Sequence, residues 1–281
     1  MTSPASSNLD PQLLEIFEAV VNLYNRENKL LESATESSAS INATHFLVRQ
    51  AIMFADAALF LMQDENQSLI PAAALLRTCL EAQARANHIL GSTGEEREKL
   101  AAEFLDMMTT GDAYYRLLLA EWFKNWEADV AKTLSNYEPV LATIRERAGK
   151  VDTSPLKELR KKYQGLGRKW GYATVIGRDK LTDPEWQKRT GPQGIQPSLY
   201  LLYTQYCSFV HSDPTSLKHE SKLNVLSEGH AAVLAAYSAL TSFMTALGKA
   251  ADADYQKIRQ AMIAFQLVPK TLRIAPKSPA P

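Results

Sequence analysis

Residues Ser68–Leu90 read SLIPAAALLRTCLEAQARANHIL, and the fold follows from how this stretch is read. Ser68 is placed to cap a helix, and Pro71 falls in its first turn, where the backbone N–H groups have no helical partner to lose. Gly91 and Gly94 end it. At about 100° of rotation per residue, Ala72, Leu75, Leu76, Cys79, Leu80 and Gln83 span one broad apolar arc. Arg77, Glu81, Ala84 and His88 fall on a separate stripe, with Arg77 and Glu81 at i,i+4 spacing, and Arg85 lies further round. This is a core helix that carries guanidinium, carboxylate and imidazole along one line.

The flanking sequence repeats the helical period. Asp10 and Pro11 open a helix with Leu13, Leu14, Phe17, Val20, Val21 and Tyr24 at helical spacing, fading near Glu32. SATESSAS (33–40) reads as a linker and Ile41–Met62 as a second helix. Glu95–Leu134 is strongly helical, with Gly111 as a kink or break; Tyr137–Ala148 and Pro155–Tyr163 are shorter helices. From Gly165 to 196 the chain is rich in Gly and Pro and reads as one long irregular loop, a lid or partner-binding segment holding a short helix near Asp183–Arg189. Helices follow at Pro197–His211, Ser227–Gly248 (alanine-rich, for close packing) and Asp252–Phe265. No hairpin signal or period-two strand intervenes. The expected fold is all-α: a single multi-helix bundle of about seven to nine helices over 10–265, with a disordered tail at 1–9 and a proline-broken arm or disordered tail at 266–281.

Composition bounds the function. Lys+Arg equals Asp+Glu at 31 each, so no general electrostatic affinity for nucleic acid or membrane is implied, which leaves room for a local patch. Cys79 and Cys207 form no C-x-x-C, which argues against a disulfide scaffold or zinc knuckle and sets a reducing, cytoplasmic location as the expectation. The N-terminus lacks a signal-like apolar run. Ala51–Met62 is short and holds Asp56, and Ala231–Leu247 is mostly Ala, Ser and Thr, so both read as buried helices and no membrane span is expected.

A second segment, YLLYTQYCSFVHSDP (200–214), aligns Tyr200, Tyr203, Cys207 and His211 on one face, with Tyr206 and Phe209 adding rings. The helix dipole alone favours a histidine at that C-terminus. Together, AAALLRTCLEAQARANHIL and LYLLYTQYCSFVHSDPTSL resemble the bacterial helical proteins grouped as DUF5677, and more loosely DUF6988. These show R-T/S-x-x-E on one helix, here Arg77 and Glu81, and a serine one turn before a histidine on an aromatic helix, here Ser208 and His211. Tyr203 or Tyr206 is the nearby tyrosine, Thr204 stands one turn before Ser208, and Trp170 is in character with the family linker. The resemblance implies an α-helical domain in which the Arg/Glu helix pairs with the His helix; it implies no activity. A looser likeness is to HEPN-like helical nucleotide-binding proteins and ribonucleases, whose R-x4–6-H pattern is absent before His211, where Thr204, Gln205 and Tyr206 stand.

Two functional readings follow. In the first, Arg77, Glu81 and His211 form a catalytic or binding centre for RNA or a nucleotide, as in a HEPN-like ribonuclease or other phosphate-chemistry hydrolase. Histidine would supply acid/base chemistry and arginine would hold phosphate. His88, Tyr203, Tyr206 and Ser208 join as ligand-binding residues. KELRKKYQGLGRKWGY (157–172) adds Lys157, Arg160, Lys161, Lys162, Arg168 and Lys169 interleaved with Tyr163, Trp170 and Tyr172, a composition suited to single-stranded nucleic acid. In the second, the polar cluster is structural and the protein is a non-catalytic helical interaction or scaffold protein, with Ala231–Leu247 and the terminal arms serving self-association. No cofactor is expected. Metal ligation by Glu81, His88 and His211 lacks H-x-x-x-H or E-x-x-H spacing, so no metal is expected either.

Overall fold

The computed structural model describes residues 9–32, 37–63, 69–133, 135–175, 203, 205–207, 210, 223–265 and 267. Among them are nine α-helices, one 3-10 turn and no strand. In chain order these are α1 (Pro11–Glu32), α2 (Ala39–Met62), α3 (Ile70–Gly91), α4 (Gly94–Thr133), α5 (Glu138–Gly149), α6 (Leu156–Lys169), α7 (Tyr172–Val175), α8 (Val225–Ala246) and α9 (Ala253–Ala264). Tyr203, Gln205, Tyr206, Cys207 and Val210 are also helical. The fold is all-α.

The centre is made by α2, α3 and α8, which pack on one another. Each buries a row of alanines (Ala51, Ala55 and Ala58; Ala72, Ala82 and Ala86; Ala232, Ala236 and Ala239) that lets the helices approach closely. Leu47, Leu59, Leu76, Leu80 and Phe243 fill the remaining space. Burial of α8 at this centre corrects the reading of Ala231–Leu247 as a self-association surface: its small face is spent inside the chain. By length and composition α2 could cross a bilayer; here one face of it packs against α3, α4 and α8, while Phe46, Met53 and Phe60 are exposed. The helix α1 lies on α8 and α9. Its Arg26 bonds Asp252 and Asp254, and buried Glu27 pairs with Lys249, which ties α1 to the turn between α8 and α9. That turn needs Gly248 at φ 70°, and Asp252 caps α9.

Several boundaries differ from the sequence reading for identifiable reasons. Ser38, read as linker, caps α2 by accepting from the Ile41 amide. In addition, Glu98 of α4 accepts from the amide and hydroxyl of Ser40 at 3.1 and 2.5 Å, so the helix begins at Ala39. Ser68 lies outside the described residues, and Leu69 occupies the cap position of α3 without a side-chain bond. Gly111 is no break. The helix passes through it, and its missing side chain seats the Tyr163 ring, since a Cβ there would stand 2.8 Å from Tyr163 Cε2. The non-helical residue of α4 is Trp126 (φ −120°, ψ 17°). The irregular loop does not start at Gly165: α6 runs through Gly165 and Gly167 to Lys169, because Leu166 packs on the core and Lys169 pairs with Glu103. The short helix expected at Asp183–Arg189 lies outside the described residues.

The 40 residues of α4 span about 60 Å at 1.5 Å per residue. Its first half packs on α2 and α3, and α6 lies along it. Its second half pairs with α5 around Ala120, Phe123, Leu141 and Ala148, a small cluster separate from the main core.

Candidate functional site

Helical spacing brings the α3 stripe to the border of the core, half-buried. Glu81 is its hub. Its Oε1 receives Arg77 Nη2 at 3.2 Å and its Oε2 receives Arg85 Nη2 at 3.3 Å. The Tyr203 hydroxyl donates to Oε1 at 3.0 Å and accepts from Arg77 Nη2 at 3.4 Å. The three charged side chains are 24%, 19% and 19% exposed for Arg77, Glu81 and Arg85, so the pairing is shielded from solvent but not sealed. Arg77 also lies over the Tyr203 ring, 5.4 Å from its centroid. Burial pulls against the Arg77 charge, but the Tyr203 hydrogen bond and the Glu81 carboxylate outweigh it and hold the guanidinium cationic. Burial pushes the Tyr203 phenol well above its ordinary range, so it remains a neutral donor.

The wall of the cluster comes from the end of α6 and from α7. Tyr172 stacks on Tyr203 with centroids 3.9 Å apart. Arg85 Nε donates to the Trp170 carbonyl at 3.2 Å. The Trp170 ring is buried between His88 and Phe104, with centroid separations of 5.4 and 5.3 Å. Burial, then the nearby Lys169, holds the His88 imidazole below its ordinary pKa, so His88 is a neutral packing partner. Tyr206 stands in the core, its hydroxyl donating to Glu228 of α8. Burial raises the Glu228 pKa. Ser208 and His211 lie outside the described residues, and so does the proposed contact of His211 with Arg77 and Glu81. Tyr203, eight residues before His211 in sequence, is what meets that pair. Among the described residues no three His, Cys, Asp or Glu side chains gather as metal ligands.

The basic segment divides into two sets. Lys162 pairs with Asp106 at 2.8 Å and Lys169 with Glu103, anchoring α6 to α4. Lys157, Lys161, Gln164 and Arg168 follow one another at i, i+4, i+7 and i+11, with Arg160 beside them, and all are exposed. None of these four cations has a carboxylate partner among the described residues. The aromatic rings do not share that face. Trp170 and Tyr172 are buried, and Tyr163 stacks on Tyr114 over Gly111. The interleaving seen in sequence is therefore an alternation of anchoring rings and outward cations, not a platform for stacked bases.

Sequence reasoning found Arg77, Glu81 and their pairing. It missed Tyr172 as the ring beneath Tyr203 and Arg85 as the second cation on Glu81, although the i,i+4 spacing of Glu81 and Arg85 was available as a signal. Comparison with protein-family models, curated proteins and solved structures finds no match.

Proposed function

We propose that this protein binds RNA through the phosphate backbone, on the outward face of α6, without cleaving it. The observation that carries the reading is the row Lys157, Arg160, Lys161 and Arg168, exposed and unpaired while Lys162 and Lys169 fix the helix beneath them. A cation that holds no internal counter-charge keeps its full attraction for phosphate. Four of them on a single helix face make a rigid track within a chain of zero net charge. A nucleotide is the smaller ligand of the same chemistry.

Salt dependence of binding tests this. Four phosphate contacts on a single strand give a slope of log K against log salt of about −3, a loss of roughly 50-fold between 50 and 200 mM salt. Fluorescence anisotropy with a single-stranded oligouridylate measures it. The double substitution K157E/K161E is expected to abolish binding at 50 mM salt with the helical signal unchanged. A wild-type chain that does not bind at 50 mM salt, or a double variant that binds equally well, overturns the proposal.

A second reading, the non-catalytic scaffold with a structural polar cluster, is favoured by the engagement of Glu81. A carboxylate held by two arginines and a phenol has three of its roughly four acceptor positions taken and is poorly placed to remove a proton.

A further inference from the structure

The second half of α4 exposes a run of large apolar and aromatic side chains. Leu119, Trp122 and Trp126 are 65%, 52% and 54% exposed, and Tyr115 and Leu118 are exposed beside them. Tyr115, Leu119 and Trp122 stand at i, i+4 and i+7, so they form one stripe along the helix, and Trp126 follows it at the kink of α4. At one end Tyr163 of α6, seated on Gly111, meets the Tyr115 ring edge-on and leaves half of it exposed, while α5 packs around Ala120 and Phe123 and leaves Leu119, Trp122 and Trp126 open. Scattered exposed apolar residues are ordinary, but two tryptophans, a tyrosine and a leucine in one line, with a second leucine beside it, are not.

From this we infer that the hairpin of α4 and α5 is a self-association arm, and that a second copy of this chain covers the stripe. Three observations favour that occupant. The arm's own core holds four buried side chains, far too few for a stable unit alone. A second hairpin laid against it would complete a four-helix bundle, the usual solution for two-helix layers. The arm is also electrically balanced: residues 112–150 carry six cations and six carboxylates. A second copy is therefore not repelled, whereas an anionic membrane or polyanion gains nothing there. Finally, aromatic side chains offer about 150–250 Å² each, so the half-exposed stripe supplies roughly 500 Å² per copy. That places a two-fold pair near the lower bound of about 1,000 Å² for a specific interface. The self-association is thus reversible and concentration-dependent, built on a tryptophan-rich centre of the kind that dominates binding.

Sedimentation velocity of the full-length protein across about 1–200 μM tests this. The wild type is expected to pass from monomer to dimer, with acrylamide quenching of tryptophan falling as the dimer forms. W122E and L119E should each shift the midpoint upward at least tenfold. M53E, which places the same charge on an exposed site of α2, should leave it unchanged. Circular dichroism separates loss of association from loss of fold, and W122A supplies a milder variant if W122E unfolds. A wild type that stays monomeric at 200 μM overturns the inference, as does a dimer indifferent to both arm substitutions. Binding of the stripe to neutral phosphatidylcholine vesicles in preference to a second copy also overturns it.

Discussion

Replacing Glu81 by glutamine keeps the shape and an oxygen for the Tyr203 hydroxyl but removes the charge that Arg77 and Arg85 share. The gross attraction at the 3.2 Å Arg77 separation is about 5 kcal/mol at an effective dielectric of 20. Most of this is offset by desolvation. The net cost of losing one partner lies between about 0.2–1 kcal/mol for exposed pairs and about 3–5 kcal/mol for buried ones. With side chains 19–24% exposed, and two arginines left facing each other, about 2 kcal/mol is expected. That is a drop in Tm of roughly 5 °C for a chain of this size. Urea unfolding measures it, and the slope against denaturant should be unchanged because the unfolded surface is the same. Crossing E81Q with R77M and with R85M should return coupling of about 1 kcal/mol for each pair. A loss under about 0.5 kcal/mol, or a gain in stability, refutes the view of Glu81 as a structural hub. A gain would mark it as a strained residue retained for function.

Two further perturbations test the surroundings. G111A should destabilise by about 1 kcal/mol: a Cβ 2.8 Å from Tyr163 Cε2 forces the ring to move, which exceeds the helix-propensity gain of about 0.8 kcal/mol, and a lower urea midpoint is the readout. The folded-state pKa of His88 lies below its ordinary 6.5, so the unfolded chain binds that proton more readily. Its contribution is then present above pH 6.5 and lost as pH falls below it; H88F, which keeps a ring on Trp170, should flatten the fall in Tm between pH 7 and 5, and an unchanged acid limb would show that the imidazole does not titrate against the fold.

How much of this was legible in sequence depended on range. The 3.6-residue period placed α1 to α4 and α8 because each must bury one face, and i,i+4 spacing placed Arg77 against Glu81. Partners distant in the chain were not legible. Nothing in RTCLEAQAR announces that Tyr203 will sit on Glu81 or that Tyr172 will stack beneath it. The glycines at 165 and 167 read as helix breakers, yet α6 continues because Leu166 and Trp170 are held by the core, and tertiary packing outweighs a cost of about 1 kcal/mol per glycine. Apolar period was equally blind to partner supply. It treats Trp122 and Leu100 alike, but only the first half of α4 has α2 and α3 to pack against.

The same asymmetry separates the two charged regions and bears on which of them acts. An ion pair that is geometrically complete has already surrendered its field: Arg77 and Arg85 share Glu81, and a phosphate approaching them must first compete with a carboxylate at 3.2–3.3 Å. The outward cations of α6 form no such pair among the described residues: Asp106 and Glu103 are engaged by Lys162 and Lys169 on the inner side, and the exposed Glu158 of α6 offsets one of the four outward charges without bridging it. One helix thus uses two of its cations to hold its position and leaves four facing solvent. The polar stripe of α3, the more conspicuous feature in sequence, sets the position of Trp170 and Tyr172 at the end of α6 through Arg85, His88 and Tyr203. On this argument the α3 cluster supports α6 from within, and the proposed RNA contact falls on the basic face that this support holds outward.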